Sequence, residues 1–338
     1  MAAGKTFRDR EKERYQKLPL QLFDSGVAFN GNYRGTQRSF CLSDSNIGVN
    51  LYQDLRVSAM EYFARRGIPW HDGLIERQVP SNHLCCSQSC CVNFLYPMMN
   101  DGRLLTSVFK EFYPDMVEAL PIEEDRHKKD KTAPFLVFEW IGTRDYLNEQ
   151  RRKGIQRTRG ANYTSADFMF RFRSRSHGKE KIHLVLGEWK YTEDYRQEDK
   201  GTNKTRKQNY AAAFSRNKGV FNQPNEVLYN SLFFEPFYQL MRLQLMGQEM
   251  EQQRELEAEE VSVLHICPKG NNDFRDNVTS PTLSEMFPGL GVLDIWKKLV
   301  VTDKFKSKSV EELLKAIITN KDITESSWVE YLRQRYGW

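Results

Sequence analysis

The sequence has no hydrophobic run long enough to cross a membrane. A transmembrane helix needs about 18 or more consecutive apolar residues, and none of the 338 positions begins such a stretch. The N-terminus is charged from Lys5 onward and lacks the apolar segment of a secretory signal. Hydrophobic residues make up 39% of the chain, as in an ordinary folded protein. We therefore expect a soluble, cytoplasmic protein with no membrane partner.

Cysteine is also scarce. Six cysteines in 338 residues are too few for a disulfide scaffold, and we expect free thiols. Four of them cluster between Cys85 and Cys91, but the spacing differs from a two-residue zinc knuckle, and further ligands would have to come from scattered residues such as His83 or Cys267. The cluster is more typical of a buried helix turn, where cysteine packs as a small hydrophobe.

Internal repeats and low-complexity linkers are absent as well. The length fits one large domain with additions at both ends. We expect an accessory N-terminal segment (1–82), to which the sequence alone assigns no function, a catalytic core (83–270) and a C-terminal helical segment packed on the core (271–338).

The net charge of +5 is unevenly distributed. Between Arg151 and Lys207 there are 16 Lys and Arg against seven Asp and Glu, a surplus of +9, so the remaining residues sum to −4. Such a run is often only a solvated surface. A basic segment around a group of carboxylates is also what an enzyme that cleaves a polyanion needs.

Hydrophobic patterning predicts an α/β (α+β mixed) protein with a central mixed sheet flanked by helices. Strands are predicted at 134–141, 166–173, 182–191 and 261–267. Helices are predicted between 87 and 116, from Glu235-Pro236 toward Glu255, and near 292–301, 310–318 and 328–336. The glutamate-rich stretch 248–260 is predicted to be a solvated helix end or loop.

A polar turn around His177-Gly178 separates the second and third predicted strands. If the hairpin is symmetric about this turn, the numbers of opposed residues sum to 355, so Asp167 lies opposite Glu188. The same register pairs Met169 with Leu186, which is sensible apolar packing. A slip by one residue would put the two carboxylates on opposite faces of the sheet.

Two carboxylates side by side in a mostly apolar sheet repel each other and are costly to bury without a cation between them. Asp167, Glu188 and the carbonyl of Trp189 would hold a Mg²⁺ ion, with Mn²⁺ as a substitute, and leave room for a phosphate. Lys190 shares a face with Glu188, since strand side chains two apart point the same way. It could orient or deprotonate the attacking water or neutralise the transition state. The pattern predicts phosphodiester hydrolysis.

A longer pattern surrounds the short Glu-x-Lys motif, which by itself occurs by chance in many proteins. The stretches 159–167 (RGANYTSAD) and 185–193 (VLGEWKYTE) resemble the PD-(D/E)XK nuclease superfamily. More narrowly, they resemble a bacterial group of restriction-endonuclease-like proteins with an RGxNxTSxD…EWKYTE signature. Ala166 stands where the superfamily name has proline, a departure that the superfamily tolerates.

The resemblance implies a restriction-endonuclease-like core and roles for individual residues. Asp167 and Glu188 correspond to metal ligands and Lys190 to the catalytic lysine. Many of these nucleases bring a further acidic residue from a neighbouring helix to the metal site, and Glu149 resembles that residue. The alternative, that Glu149 is an exposed glutamate on a helix surface, is equally compatible with the sequence. Glu139, a lone carboxylate in an apolar strand, competes for the same role because a buried carboxylate needs a partner.

Basic and amide side chains near these motifs are candidates for contacts with nucleic acid. Gln239 and Arg242 lie three apart on one face of the long helix and could reach the site or a phosphate backbone, although such pairs are more often structural. Arg159, Arg171 and Arg173 belong to the basic segment and are further candidates.

One histidine motif is left without a role. His71-Asp72 resembles a dipeptide of phosphohydrolases. The other histidines are not spaced to complete such a site, so we assign it no function.

Three classes of function follow. The first is a Mg²⁺-dependent DNA endonuclease of restriction, defence or repair that acts on duplex DNA. The second is a nucleic-acid-binding or scaffold protein without turnover, which is disfavoured because Asp167, Glu188 and Lys190 are all present. The third is an RNA-directed nuclease, since the phosphate chemistry is common to both polymers. A sequence-specific double-strand cutter usually needs two active sites, which favours a homodimer.

Overall fold

The fold is that of a computed structural model, which describes residues 4–18, 22–23, 27–73, 78–122, 133–150, 157–159, 163–321, 323 and 325–337. A six-stranded mixed sheet has helices on both faces, which confirms the predicted mixed α/β class. None of the described helices is long and apolar enough to span a membrane.

Eight strands are described. They are β1 (Phe29–Tyr33), β2 (Thr36–Leu42), β3 (Met116–Leu120), β4 (Leu136–Trp140), β5 (Ala166–Ser176), β6 (Lys179–Trp189), β7 (Glu260–Ile266) and β8 (Phe305–Lys308). The first two form a separate hairpin. In the main sheet, β3 and β4 both pair antiparallel with β5, β5 pairs antiparallel with β6, and β7 and β8 follow in parallel.

The α-helices surround this sheet. They are α1 (Phe7–Tyr15), α2 (Gln53–Arg65), α3 (Ser87–Leu95), α4 (Gly102–Phe109), α5 (Lys204–Arg216), α6 (Glu226–Ser231), α7 (Phe237–Gln252), α8 (Asn272–Arg275), α9 (Pro281–Met286), α10 (Val292–Leu299), α11 (Val310–Ile318) and α12 (Ser327–Tyr336). The predicted strands correspond to β4, β5, β6 and β7, and the predicted long helix is α7. The sequence did not indicate β3 or β8, so the C-terminal segment contributes a strand as well as helices.

The β5–β6 hairpin has the register that its sequence predicts. Every described pair, from Phe168 with Gly187 to Ser176 with Lys179, sums to 355. The turn is formed by His177 and Gly178, which both have positive φ, of 49° and 76°. Positive φ at both central residues is typical of the tight turn that matches the twist of a two-residue hairpin.

The two faces of the sheet belong to two hydrophobic clusters. On β5, Phe168, Phe170 and Phe172 belong to one cluster, which includes residues of α1–α4, α11 and α12. Met169 belongs to the other, which includes residues of α5–α10. Segments from both ends of the chain therefore pack on the sheet, and the boundaries at 82 and 270 remain predictions.

The cysteines pack as buried hydrophobic residues, as predicted from the sequence. All six are buried, and Cys90 and Cys91 lie in α3. Burial raises the pKa of both thiols well above the ordinary value, as expected for inert packing residues.

The glutamate-rich stretch 248–260 is not simply solvated, so that prediction is wrong for two of its residues. Glu249 is buried and pairs with Arg216 at 2.9 Å. Glu255 is buried and accepts hydrogen bonds from Trp140 Nε1 at 2.9 Å and from the Tyr146 hydroxyl. Buried donors from distant segments explain the difference, because they compensate the cost of taking the carboxylates out of water.

Gly187 provides a test of this packing. A Cβ at this position would lie 2.2 Å from the ring of Phe168, which is fully buried. We expect Gly187→Ala to lower the free energy of unfolding by about 1–3 kcal/mol, because the ring has no room to move. Urea denaturation measures the change. Gly219→Ala is the matched control, since a Cβ there meets nothing within 4 Å; equal losses in both variants would contradict this account.

Candidate active site

Three carboxylates stand in one row across three neighbouring strands. The pairing of β4 with β5 puts Glu139 beside Asp167, and the pairing of β5 with β6 puts Asp167 beside Glu188. The parallel pairing of β6 with β7 then sets Glu188 against His265. Adjacent strands are about 4.8 Å apart, so the carboxylates are close neighbours. The row lies where β4, β6 and β7 end and β5 begins.

Asp167 is at the centre of this row. Its Oδ2 accepts a hydrogen bond from the backbone N–H of Trp189 at 2.6 Å. Burial, followed by repulsion from Glu188 and Glu139, holds the pKa of Asp167 well above its ordinary value, although Lys190 and the Trp189 hydrogen bond act against the shift. Without a metal ion, the three neighbouring carboxylates therefore have too little positive charge around them to offset their repulsion.

Lys190 supplies one cation to the row. Its Nζ lies 2.6 Å from Glu188 Oε1, and both side chains are only 8% exposed. Burial favours the neutral amine, but the charges of Glu188, Tyr195, Asp167 and Glu193 outweigh it, so the pKa of Lys190 lies well above the ordinary value. The ammonium form is the stable one at neutral pH.

Glu139 completes the row on the β4 side. Its carboxylate accepts hydrogen bonds from Ser165 Oγ at 2.6 Å and from Gln88 Nε2 at 3.2 Å. Burial raises the pKa of Glu139, and Glu188 adds to the shift, while the two hydrogen bonds reduce it. The residue has a positive φ of 51°, and left-handed backbone outside glycine is uncommon and often found at functional sites.

Glu149, the other candidate for the extra acidic residue, lies elsewhere. It accepts hydrogen bonds from the N–H and the hydroxyl of Thr164, both at 2.7 Å, and from the Tyr210 hydroxyl at 2.7 Å. Arg242 Nη1 lies 4.0 Å away. The structure uses Glu149 to fix the entry of β5 and does not bring it to the row.

These contacts show what two residues of the predicted signature do in the structure. Its Thr164 holds Glu149, and its Ser165 holds Glu139, so the two residues before β5 bind one carboxylate each. Gly160, Ala161 and Asn162 of the signature lie outside the described residues, as do residues 151–156 of the basic segment.

The predicted nucleic-acid contacts separate into two groups. Gln239 lines the same cavity as Asp167 and accepts a hydrogen bond from the Tyr195 hydroxyl at 3.1 Å. Arg242, one turn further along α7, instead packs its guanidinium 4.6 Å from the ring centre of Tyr238 and donates to Thr164 at 3.4 Å.

Of the three arginines near β5, Arg159 contacts the residues on either side of Glu139, and its Nη1 lies 3.4 Å from the carbonyl oxygen of Phe138, whereas Arg171 and Arg173 are not brought to the row. Arg159 lies 4.7 Å from the ring centre of Trp140. Arg171 donates to the carbonyl of Pro121 at 2.8 Å, and Arg173 pairs with Glu118 at 3.0 Å. Arg171 and Arg173 follow Asp167 by four and six residues, which is about 13 and 20 Å along a strand. Closeness in sequence therefore overstated their closeness to the site.

A cavity of about 510 Å³ opens above the row. Its polar lining includes Glu139, Asp167, Lys190, His71, Asp72, Ser87, Gln88, Glu193, Tyr195 and Gln239. Sequence patterns assigned no role to His71-Asp72, although its resemblance to a phosphohydrolase dipeptide was a usable signal. Gln88 and Tyr195 carried no signal, because tertiary packing brings them from distant segments.

The donors present suit Mg²⁺. Among the described residues, no three His, Cys, Asp or Glu side chains are grouped to hold a metal by themselves. Mg²⁺ often uses one or two carboxylates and keeps several waters, so Asp167, Glu188 and the carbonyl of Trp189 are a sufficient set. That carbonyl accepts from Ser87 Oγ at 3.2 Å and has a second lone pair. The raised pKa of Asp167 agrees with a place for a cation.

A mixed sheet with helices on both faces, and an Asp, a Glu and a Lys together at the end of a hairpin, are consistent with a restriction-endonuclease-like protein. The chain belongs to the family described as restriction endonuclease associating with ARP, whose model matches residues 20–337. No curated protein and no solved structure matches the chain. Membership in this family implies a nuclease-like role and binding of nucleic acid.

The burial and charge repulsion of ionised Asp167 have a measurable consequence for stability. The raised pKa means that ionised Asp167 destabilises the metal-free fold; this cost is complete above the raised pKa and absent below the ordinary carboxyl pKa. We therefore expect Asp167→Asn to raise the melting temperature in EDTA at about pH 8, with the gain fading toward about pH 4.

Thermal unfolding of wild type and variant across this pH range measures the effect. Asp303→Asn, at an exposed aspartate, is the control. No gain at the higher pH, or a gain that grows as the pH falls, would contradict the assignment of Asp167 as an electrostatically strained carboxyl.

Proposed function

We propose that the protein is a metal-dependent nuclease of the PD-(D/E)XK type that hydrolyses phosphodiester bonds of DNA. The observation that carries this proposal is the arrangement of Asp167, Glu188 and Lys190 at one end of the β5–β6 hairpin, with Lys190 Nζ 2.6 Å from Glu188 Oε1, beside a cavity of about 510 Å³ that Asp167 and Lys190 line. Family membership supports the same class of activity.

Asp167, Glu188 and the Trp189 carbonyl would hold a Mg²⁺ or Mn²⁺ ion, which supplies Lewis-acid polarisation of the scissile phosphate and of a water molecule. Lys190 carries a positive charge, since its raised pKa keeps the ammonium form. It therefore orients the attacking water and neutralises charge that develops on the phosphate, and it does not begin as a base.

Glu139 is the residue that we propose as the extra acidic group in place of Glu149. It stands in the row beside Asp167, whereas Glu149 is bound to Thr164 and Tyr210. Ser165 and Gln88 hold the Glu139 carboxylate at the cavity, so it is positioned to bind water molecules around the ion.

DNA is the proposed polymer, and restriction, defence or repair is the proposed setting. The surplus of basic residues between Arg151 and Lys207 supports a polyanionic substrate. An RNA substrate would use the same chemistry and is an arm of the test. A homodimer, which would place two active sites on a duplex, remains part of the proposal.

Cleavage assays test this function. Purified protein is incubated with plasmid, linear duplex, single-stranded DNA and RNA in Mg²⁺, Mn²⁺ or EDTA. We expect metal-dependent cleavage that falls by about 100-fold or more in Asp167→Asn, Glu188→Gln and Lys190→Met, because each removes a charge that the transition state needs.

Matched controls lie on the same strand. Glu180→Gln and Lys181→Met change the same residue types at the exposed, opposite end of β6 and should retain wild-type rates. Cleavage that survives all three substitutions at the row would show that the site is elsewhere. Tight binding without cleavage of every polymer would favour the scaffold alternative.

The two candidate acidic residues give opposite expectations. Glu139→Gln should lower the cleavage rate by about tenfold or more while leaving stability near wild type, because it removes charge from the row. Glu149→Gln should keep most activity but lower the melting temperature, because it weakens the bonds to Thr164 and Tyr210. Initial cleavage rates and thermal unfolding of both variants decide between the two residues. A large loss of activity in Glu149→Gln with little loss in Glu139→Gln would restore Glu149 as the extra acidic residue.

A further inference from the structure

A second cavity adjoins the active-site cavity on the side of the N-terminal segment. It has a volume of about 390 Å³ and shares His71, Asp72, Ser87 and Glu193 with the first cavity, so the two are continuous. Residues of α1 and of the β1–β2 hairpin supply its outer wall. We call this space the basic cleft. Most of its charged and aromatic lining comes from the segment 1–82, to which the sequence alone assigns no function.

Cations outnumber carboxylates in the wall of the basic cleft. Arg8, Lys12, Arg34 and Arg38 line it, against Asp72 and Glu193. Three of the cations make ion pairs: Arg8 with Asp194 at 2.7 Å, Lys12 with Asp9 at 3.2 Å and Arg34 with Asp72 at 2.9 Å.

Arg34 and Arg38 are the cations of the cleft that are most available to a phosphate. The Arg34 side chain is 70% exposed, and exposed pairs of this kind contribute little and are readily exchanged. Arg38 is exposed and makes no ion pair with any residue that the structure describes.

Two aromatic rings line the same cleft. Tyr33 and Phe40 pack on either side of His83, with ring centres 4.7 and 4.9 Å from the imidazole. Both side chains are half-buried, and cations of the cleft lie next to them: Lys12 Nζ is 5.1 Å from the ring centre of Phe40, and the Arg34 guanidinium is 5.3 Å from that of Tyr33. Alternation of cations with aromatic rings is typical of surfaces that bind single-stranded nucleic acid, because unpaired bases stack on the rings while phosphates contact the cations.

The basic cleft is fixed to the strand that carries the catalytic groups. The hydroxyl of Tyr191, the residue after Lys190, donates a hydrogen bond to Glu11 of α1. Arg8 Nε donates to the carbonyl of Thr192 at 2.9 Å. Because α1 is bound directly to the end of β6, the cleft keeps a set position relative to Lys190.

We propose that the basic cleft binds one unpaired strand of the substrate next to the scissile phosphate, so that the enzyme acts on single-stranded nucleic acid or on a duplex with an unpaired segment at the cut. This inference rests on the proposed nuclease function. Two joined cavities of about 510 and 390 Å³ are each the size of a small-ligand site, which suits a few nucleotides of one strand better than two paired strands. Glu188 and Lys190 are only 6% and 7% exposed, so the phosphate has to enter a recess.

Binding of labelled oligonucleotides tests the proposal without turnover. The Asp167→Asn protein in EDTA is titrated by fluorescence anisotropy with single-stranded DNA, RNA of the same sequence, a blunt duplex, and the duplex with an unpaired overhang. We expect the single-stranded and overhang substrates to bind about tenfold or more tightly than the blunt duplex, since stacking requires unpaired bases. Comparison of the DNA and RNA arms identifies the polymer.

Variants of the cleft then locate the binding site. Arg34→Ala with Arg38→Ala should weaken binding of the unpaired substrates by about tenfold and reduce the salt dependence by about one to two ions. The control, Lys297→Ala with Lys298→Ala, removes the same charge from the exposed face of α10 and should leave affinity unchanged. Arg38→Glu alone provides a second variant that breaks no ion pair among the described residues.

The outcomes separate this inference from the function on which it rests. Equal losses in the cleft and control variants, or a blunt duplex bound as tightly as the unpaired substrates, would overturn the role of the cleft even if the enzyme cleaves DNA. Cleft-dependent binding of a single strand, in a wild-type protein that cleaves no polymer with any metal, would instead overturn the nuclease proposal.

Discussion

The register of the β5–β6 hairpin is the constraint on which the candidate site depends. The tight turn at His177-Gly178 fixes which residues face each other, and the pairing places Asp167 beside Glu188 at the far end of both strands. A slip by one residue would separate the two carboxylates onto opposite faces of the sheet. Because a hydrophobic cluster covers each face, the two carboxylates would then be separate charges in apolar surroundings, which is costly.

The protein buries several carboxylates, and their surroundings distinguish structure from chemistry. Glu149 and Glu255 accept several hydrogen bonds from neutral donors, and Arg242 also lies 4.0 Å from Glu149. Glu139, Asp167 and Glu188 instead lie next to one another; Glu139 and Asp167 accept hydrogen bonds from neutral donors, but among the described ion pairs only that of Lys190 with Glu188 brings a cation to the row. A carboxylate whose hydrogen-bond donors compensate its burial stabilises the fold. Neighbouring carboxylates that repel one another are instead suited to bind a cation.

Local patterns in the sequence predicted much of this arrangement. Strand alternation and a two-residue turn were sufficient for β4, β5, β6 and the neighbourhood of Asp167 and Glu188, because these depend on contacts close in sequence. The sequence alone could not show whether Glu139 or Glu149 lies beside Asp167. The answer depends on which carboxylate each hydroxyl of Thr164 and Ser165, the two residues before β5, binds.

Contacts between distant segments account for what the sequence did not indicate. His71, Gln88 and Tyr195 reach the cavity from three separate regions, and β8 joins the sheet only after the long path through α8 to α10. Arg171 and Arg173 show the opposite error, since they are near Asp167 in the chain but extend toward the other end of β5. The N-terminal helix α1 is likewise tied to β6, so a segment with no motif of its own forms part of the site's surroundings.

We propose above that Asp167 and Glu188 form a divalent-metal site. Titration of the protein with Mn²⁺, followed by electron paramagnetic resonance of the free ion, measures this directly and needs no knowledge of the substrate. We expect saturable Mn²⁺ binding in the wild type and in Glu149→Gln, and loss of this binding in Asp167→Asn and in Glu188→Gln. Binding that is absent from the wild type, or that persists unchanged in both variants of the row, would contradict it.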